Sequence, residues 1–344
     1  MIVPIGDDLR VGACSWRRWW AATALLAVTS CESDATSGTA VATSTSTSTS
    51  TSTLPSEAVA VEASIDIGGG EALGLAADSR HVWAVAFESS SLVSIDPTTN
   101  QVTATVDLDD GAASALAVDD QIWVVAYAMA GGSSLTRVDG PTAEVTGTFP
   151  TDELCCDLSA DDRGLWAIDP NGAAVRFDLG FGELVDRYEI DVDRNVHVNG
   201  VFAGDAYWYS SDTTPLSRLD PATGAIDTFD VGGGVPFLAR DGLLWGASPT
   251  EVWAVDDATG QVVETIAVPD SIEVMSLEVT VDDVFVGMRH PGRRGAVLQL
   301  DRATGAEITE IDVDIPARMV IGFSSVWVTD SGGSVVYRLG PAGP

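Results

Sequence analysis

The chain has 344 residues, 45% of them hydrophobic, and sets 51 acidic residues against 17 arginines and no lysine, for a formal charge of −34. That apolar share can fill a sizeable core, and the length suits one large β domain as well as two smaller domains. So acidic a surface repels nucleic acid and anionic lipid, which excludes both as expected partners.

Arg17-Arg18 precede an apolar run from Trp19 to Val28 that closes on Val28-Thr29-Ser30-Cys31. A basic start, about ten apolar residues and small residues before a cut site make a secretory signal, and the run is too short to span a bilayer. The closing residues resemble a bacterial lipobox, which implies that residues 1–30 are removed and that Cys31 becomes the lipidated first residue. An ordinary secretory signal with an incidental cysteine is the alternative. Residues 31–56 are mostly Ser, Thr and Ala, with strict alternation from Thr43 to Thr53. Such a segment buries too little apolar surface to offset ordering and is expected to be a disordered tether spanning roughly 25 to 30 Å. The lipobox resemblance thus implies an exported protein held at the outer face of a bacterial cell membrane.

From residue 57 onward one phrase returns. Its first half is an apolar run around a large aromatic, centred on Trp83, Trp123, Trp166, Trp208, Trp245, Phe285 and Trp327. The steps between these seven are 40, 43, 42, 37, 40 and 42 residues, the interval of a four-stranded propeller blade. In the first copy, period-two alternation predicts strands at Ala72 to Ala77, His81 to Phe87, Ser91 to Asp96 and Gln101 to Leu108. No segment keeps a helical period, so residues 57–344 are expected to be all-β.

The second half of the phrase is a strand ending in aspartate before a hairpin turn, as in Arg218-Leu219-Asp220-Pro221-Ala222-Thr223-Gly224. Asp96, Asp256 and Asp301 head close copies, and Asp139 and Asp178 looser ones. An Asp there accepts backbone N–H groups two residues on, and Gly or Asn supplies the positive φ that closes the turn. A residue repeated in every blade builds the blade, so these aspartates are read as structural. The seventh copy runs into Gly340-Pro341-Ala342-Gly343-Pro344 without an outer strand, whereas Val59 to Ile67 reads like an outer strand with no repeat before it. Pairing the two predicts a seven-bladed β-propeller closed by an N-terminal outer strand in the last blade.

The run from Val82 to Leu108, VWAVAFESSSLVSIDPTTNQVTATVDL, resembles the recurrent phrase of the YVTN seven-bladed propellers. The run from Val326 to Leu339, VWVTDSGGSVVYRL, is similar to that of virginiamycin B lyase propellers. The second resemblance implies a His and Glu constellation with Mg²⁺ in the channel. No repeat here carries a closely spaced Glu and His, and only His197 with Glu278 offers itself as a catalytic pair.

Propeller ligands usually sit at the face built by loops entering the inner strands and joining second to third strands. Residues 152–157, 191–199, 270–278, 289–294 and 314–318 belong to that face. Arg289, His290, Arg293 and Arg294, together with Arg318, are the ligand-binding candidates, since guanidinium forks suit carboxylate and phosphate. The bland alternative is a solvated loop pairing with nearby acids. Cys155 and Cys156 adjoin in an exported protein, as a vicinal disulfide or as two buried thiols. Asp191-Val192-Asp193-Arg194-Asn195 imitates the start of a calcium loop but has Val196 where glycine and Phe202 where glutamate belong.

These features lead to an expected non-enzymatic, lipid-anchored monomer whose propeller face binds an envelope protein or small ligand, with no cofactor. The alternative is a lyase or hydrolase with Mg or Ca in the channel, centred on His197 and Glu278. A quinoprotein ranks third, since the Ala-Thr-Gly turns are similar to those repeats but no cofactor-stacking Trp stands out.

Overall fold

The computed structural model describes residues 57–108, 111–127, 132–151, 154–169, 172–193, 198–269, 273–290 and 294–342, apart from the side chains of Tyr127, Cys155 and Cys156. These residues form 28 strands in seven four-stranded antiparallel sheets and include no helix. Blades 1 to 6 take residues 72–107, 111–151, 155–189, 198–229, 235–267 and 273–312, each running from inner to outer strand in chain order. Blade 7 is composite. From the centre outward it holds Pro316–Gly322, Ser325–Asp330, Val335–Pro341 and then Val59–Asp66.

The chain enters every inner strand at one face of the ring, here called upper, and leaves it at the lower face. Loops joining second to third strands are therefore upper, and the aspartate turns are lower. In six of the seven blades the register breaks between inner and second strands, which bends the inner strand beside the axis.

The seven recurrent aromatics are all at most 2% exposed. They lie between blades, so the core is a series of clusters shared by neighbours. One joins Trp83, Val85 and Leu92 of blade 1 to Ala112, Ile122 and Val138 of blade 2. Full burial of one such indole stabilises by roughly 2 to 3 kcal/mol or more, which makes the blade-to-blade seam the main store of stability.

The aspartate turns follow turn chemistry. Asp96, Asp220, Asp256 and Asp301 each accept a backbone N–H from Thr98, Ala222, Thr259 and Thr304 at 2.7 to 2.8 Å. The closing residue then takes positive φ, at Asn100 (56°), Gly224 (71°), Gly260 (71°) and Gly305 (69°). Hydrogen bonds from the turn hold these carboxyls below the usual carboxylate range, with the Thr hydroxyl the largest cause at Asp220, Asp256 and Asp301 and the Thr98 N–H at Asp96.

A second repeated device is an arginine lying over five of the six recurrent indoles, while Trp83, opposite Ser94, instead donates through Nε1 to Asp78 at 2.8 Å. Register pairs Trp123 with Arg137, Trp166 with Arg176, Trp208 with Arg218 and Trp327 with Arg338. Each guanidinium stands 5.2 to 5.8 Å from the ring centre, worth about 0.5 to 1 kcal/mol. Arg137 and Arg338 also donate to carbonyls of the next blade's turn, Gly180 and Pro97, at 2.7 Å. Blade 5 has Ala254 at this place and borrows Arg302 from blade 6, which lies 4.7 Å over Trp245 and pairs with Glu264 at 3.0 Å.

Closure occurs where the missing outer strand required it. Val59–Asp66 pairs antiparallel with Val335–Pro341, matching Val59 to Pro341 and Asp66 to Val335. Buried Gln299 of blade 6 fixes the start of that strand, accepting from Val59 N–H at 2.9 Å and donating to Glu57 O at 3.0 Å.

Candidate functional site

An ion pair spans the channel. Arg318 is the third residue of the blade 7 inner strand, and Asp157 the third of the blade 3 inner strand. Blades 3 and 7 face one another across a seven-membered ring, and both side chains are about one-fifth exposed. Arg318 donates through Nε to Asp157 Oδ1 at 3.1 Å and through Nη2 to Oδ2, and its Nη1 reaches the carbonyls of Met275 and Ala317 at 3.3 and 3.0 Å. Ser114 of blade 2 donates to Asp157 at 3.1 Å. The backbone N–H of Arg318 is held by Thr329 Oγ1 at 3.0 Å, and Thr329 in turn donates to Leu73 O at 2.8 Å. Blades 1, 2, 3, 6 and 7 thus meet in one network.

Tyr207 of blade 4 adjoins that network. It is fully buried, stacks on Trp166 at 5.1 Å, and its Oη has no hydrogen-bond partner. Burial pushes its hydroxyl pKa upward, and the charge of Asp157 adds to the shift. Glycine is required opposite it, because a Cβ on Gly200 would lie 2.2 Å from Tyr207 Oη.

On the upper rim the described arginines are matched to acids. Arg289 pairs with Glu273 at 3.2 Å, Arg294 with Asp314 at 3.2 Å, and Arg187 with Asp169. Glu273 is raised above the ordinary glutamate range chiefly by burial, with Arg289 pulling the other way. His290 is buried, and its Nε2 lies 3.5 Å from Glu310 of the outer strand, directed away from the channel. Arg294 is the most open of the set, with its side chain 74% exposed.

Glu278 lies elsewhere. It is the sixth of seven residues in the blade 6 inner strand, at the lower end, whereas Val198 opens the blade 4 inner strand at the upper face. Burial pushes Glu278 up to about 7, against the attraction of Arg240, whose Nη2 stands 3.4 Å away. Its Oε2 has no hydrogen-bond partner. A guanidinium already holds the charge position that Mg²⁺ would need beside Glu278, so this carboxylate does not fit a magnesium ligand. Among the described residues no three His, Cys, Asp or Glu side chains converge as a ligand set.

His197, Arg293 and Cys31 lie outside the described residues. Cys155 and Cys156 open the blade 3 inner strand, with Cys155 opposite Ile168, and only their backbone is described. Of the calcium-like stretch, Asp193 accepts from Thr213 Oγ1 at 3.4 Å, Arg194, Asn195 and Val196 lie outside the described residues, and Phe202, at the twelfth place, stacks on Trp166 at 5.5 Å.

Asp157, Ser114 and Tyr207 were not singled out by sequence reasoning, although a signal existed. The inner strands of blades 1, 2 and 4 carry no charge, whereas those of blades 3 and 7 carry opposite charges at the same strand position. Comparison with protein-family models and with curated proteins finds no match for this chain.

Proposed function

We propose that the protein is a non-enzymatic binding module of the bacterial cell envelope, anchored through lipid on Cys31, which presents its upper face to a protein or small ligand. The observation that carries this reading is the commitment of the channel's charges to one another. Arg318 spends its donors on Asp157 and two carbonyls, so the waist of the channel is a strut, and recognition falls to the rim. The chain joins the ring at the lower face, where Gln299 holds Glu57 and Val59, so an anchor at Cys31 leaves Arg289 and Arg294 on the opposite face.

The phrase shared with YVTN and virginiamycin B lyase propellers supports the architecture of this reading more than any activity. A lyase centred on His197 and Glu278 is the lesser reading. Its one support is the raised Glu278, a property suited to a general base. Arg240 beside it and its place at the lower end weigh against metal chemistry.

The test has two arms. Cys31→Ala should move the protein from the membrane fraction to the soluble exported fraction. A photo-cross-linking residue at Ser331, on the upper face, should yield a discrete adduct in intact cells, lost when Arg289, Arg293 and Arg294 become Gln. Adducts indifferent to those three changes would refute upper-face recognition, whatever the outcome at Cys31.

A further inference from the structure

All ten large hydrophobic side chains exposed among the described residues lie on the lower half of the ring. Val102, Val145, Leu184, Val185, Ile226, Val262 and Val263 open outer strands at their lower ends, Val61 lies near the lower end of the closing strand, and Phe181 and Val281 sit in lower loops. Random scatter would divide them between faces, and single exposed apolar residues need no cause, but a one-sided set marks an interaction surface.

The set is densest on blades 2 to 4, where contacts between blades make the surface continuous. The turn of blade 3 packs on blade 2, since Arg137 donates to Leu179 and Gly180 carbonyls at 3.3 and 2.7 Å and a Cβ on Gly182 would strike the Phe149 ring. Tyr188 Oη donates to Pro221 O at 2.8 Å and ties blade 3 to the turn of blade 4. Phe181 is 72% exposed at the tip of this surface, with Leu184 and Val185 each 51% exposed beside it.

The surface is predominantly acidic. Segments 139–145, 178–185 and 220–227 carry Asp139, Glu144, Asp178, Glu183, Asp220 and Asp227 and no basic residue. Arg176, Arg218 and Arg137 are committed to Asp186, Asp205 and the turn carbonyls, whereas Arg163, 67% exposed beside Asp162 in the blade 3 loop, and Arg80, whose charge lowers Asp139, are open cations outnumbered by these acids. An apolar ridge set among carboxylates repels an anionic bilayer and complements a cation-bearing apolar face.

The geometry points to the lower rim of blades 2 to 4 as a docking surface for a basic amphipathic polypeptide segment, its apolar side on Phe181, Leu184 and Val185 and its cationic side chains against the surrounding carboxylates. This surface is separate from the upper-face loops and stands whether or not those bind a ligand.

The experiment uses the full chain and a fluorescein-labelled leucine–lysine peptide with helical amphipathic spacing, followed by anisotropy. The peptide should bind about tenfold tighter than a scrambled peptide of the same composition, and Phe181→Ser with Val185→Ser should remove that advantage. Glu183→Gln with Asp227→Asn, which spares the apolar ridge, should weaken binding and flatten its salt dependence. Equal binding of the scrambled peptide, or binding unchanged in both paired variants, would overturn the proposal. Phe181-dependent binding of phosphatidylglycerol vesicles in place of the peptide would overturn it too, by assigning the rim to lipid.

Discussion

Arg318 and Asp157 stand 161 residues apart in the chain and meet as a bidentate pair across the central channel, from blade 7 to blade 3. The pair connects opposite sides of the ring, which the shared apolar clusters between neighbouring blades do not do. It explains why two charged residues sit in the middle of inner strands that are otherwise apolar or small.

Removal of one member leaves the other partly buried without its counter-charge. Asp157→Asn is therefore expected to cost about 3 kcal/mol in urea unfolding, whereas Asp157→Leu combined with Arg318→Met should recover most of that loss. Single and double variants that lose equal stability would show that the pair is not coupled.

Glu278 sets a pH dependence of definite sign. Its folded pKa, about 7, lies above the ordinary 4.5, so the folded state holds a proton that the unfolded state releases across that window. The contribution of Glu278 to stability therefore falls as pH rises from about 4.5 to 7, by up to roughly 3 kcal/mol. The difference in stability between Glu278→Gln and wild type should grow over that range and level off above it. A difference that stays flat from pH 4 to 8 would contradict the raised pKa.

The turn carboxylates titrate in the opposite sense. Asp301 is lowered by the Thr304 hydroxyl and N–H, so its contribution is present above the ordinary 3.8 and lost as pH falls through the folded pKa. Asp301→Ala should lower Tm at pH 7 and approach wild type at pH 3. An equal deficit at both values would assign the effect to backbone preference instead of the carboxylate.

These turns and the spaced aromatics made most of the fold legible, because each blade repeats its own local chemistry and needs no knowledge of distant residues. Val59–Asp66 was legible for a related reason, as an outer strand without a blade beside a blade without an outer strand. The stacking of arginine on indole was less so, since Arg302 serves Trp245 from the following repeat and only the folded seam brings them together. The channel pair required knowing that strand positions in blades 3 and 7 oppose one another. Arg318 was identifiable as a candidate while its true partner was not, and Glu278 was placed with His197 although its charged neighbour is Arg240.

Closure offers the last prediction. Gln299 is 1% exposed and satisfies Val59 N–H, Glu57 O and the Asp283 carboxylate together. Gln299→Leu leaves those groups without their partner, at a cost of about 1 to 3 kcal/mol, and the loss should appear first as faster proteolysis between residues 57 and 67. Deletion through Asp66 goes further, because it strips the outer strand from Val335–Pro341 and leaves a row of unpaired backbone groups beside Val336 and Leu339. That variant should associate edge to edge and elute as oligomers on gel filtration. A monomeric, fully stable product would mean that the ring holds closed on the inner three strands of blade 7 alone.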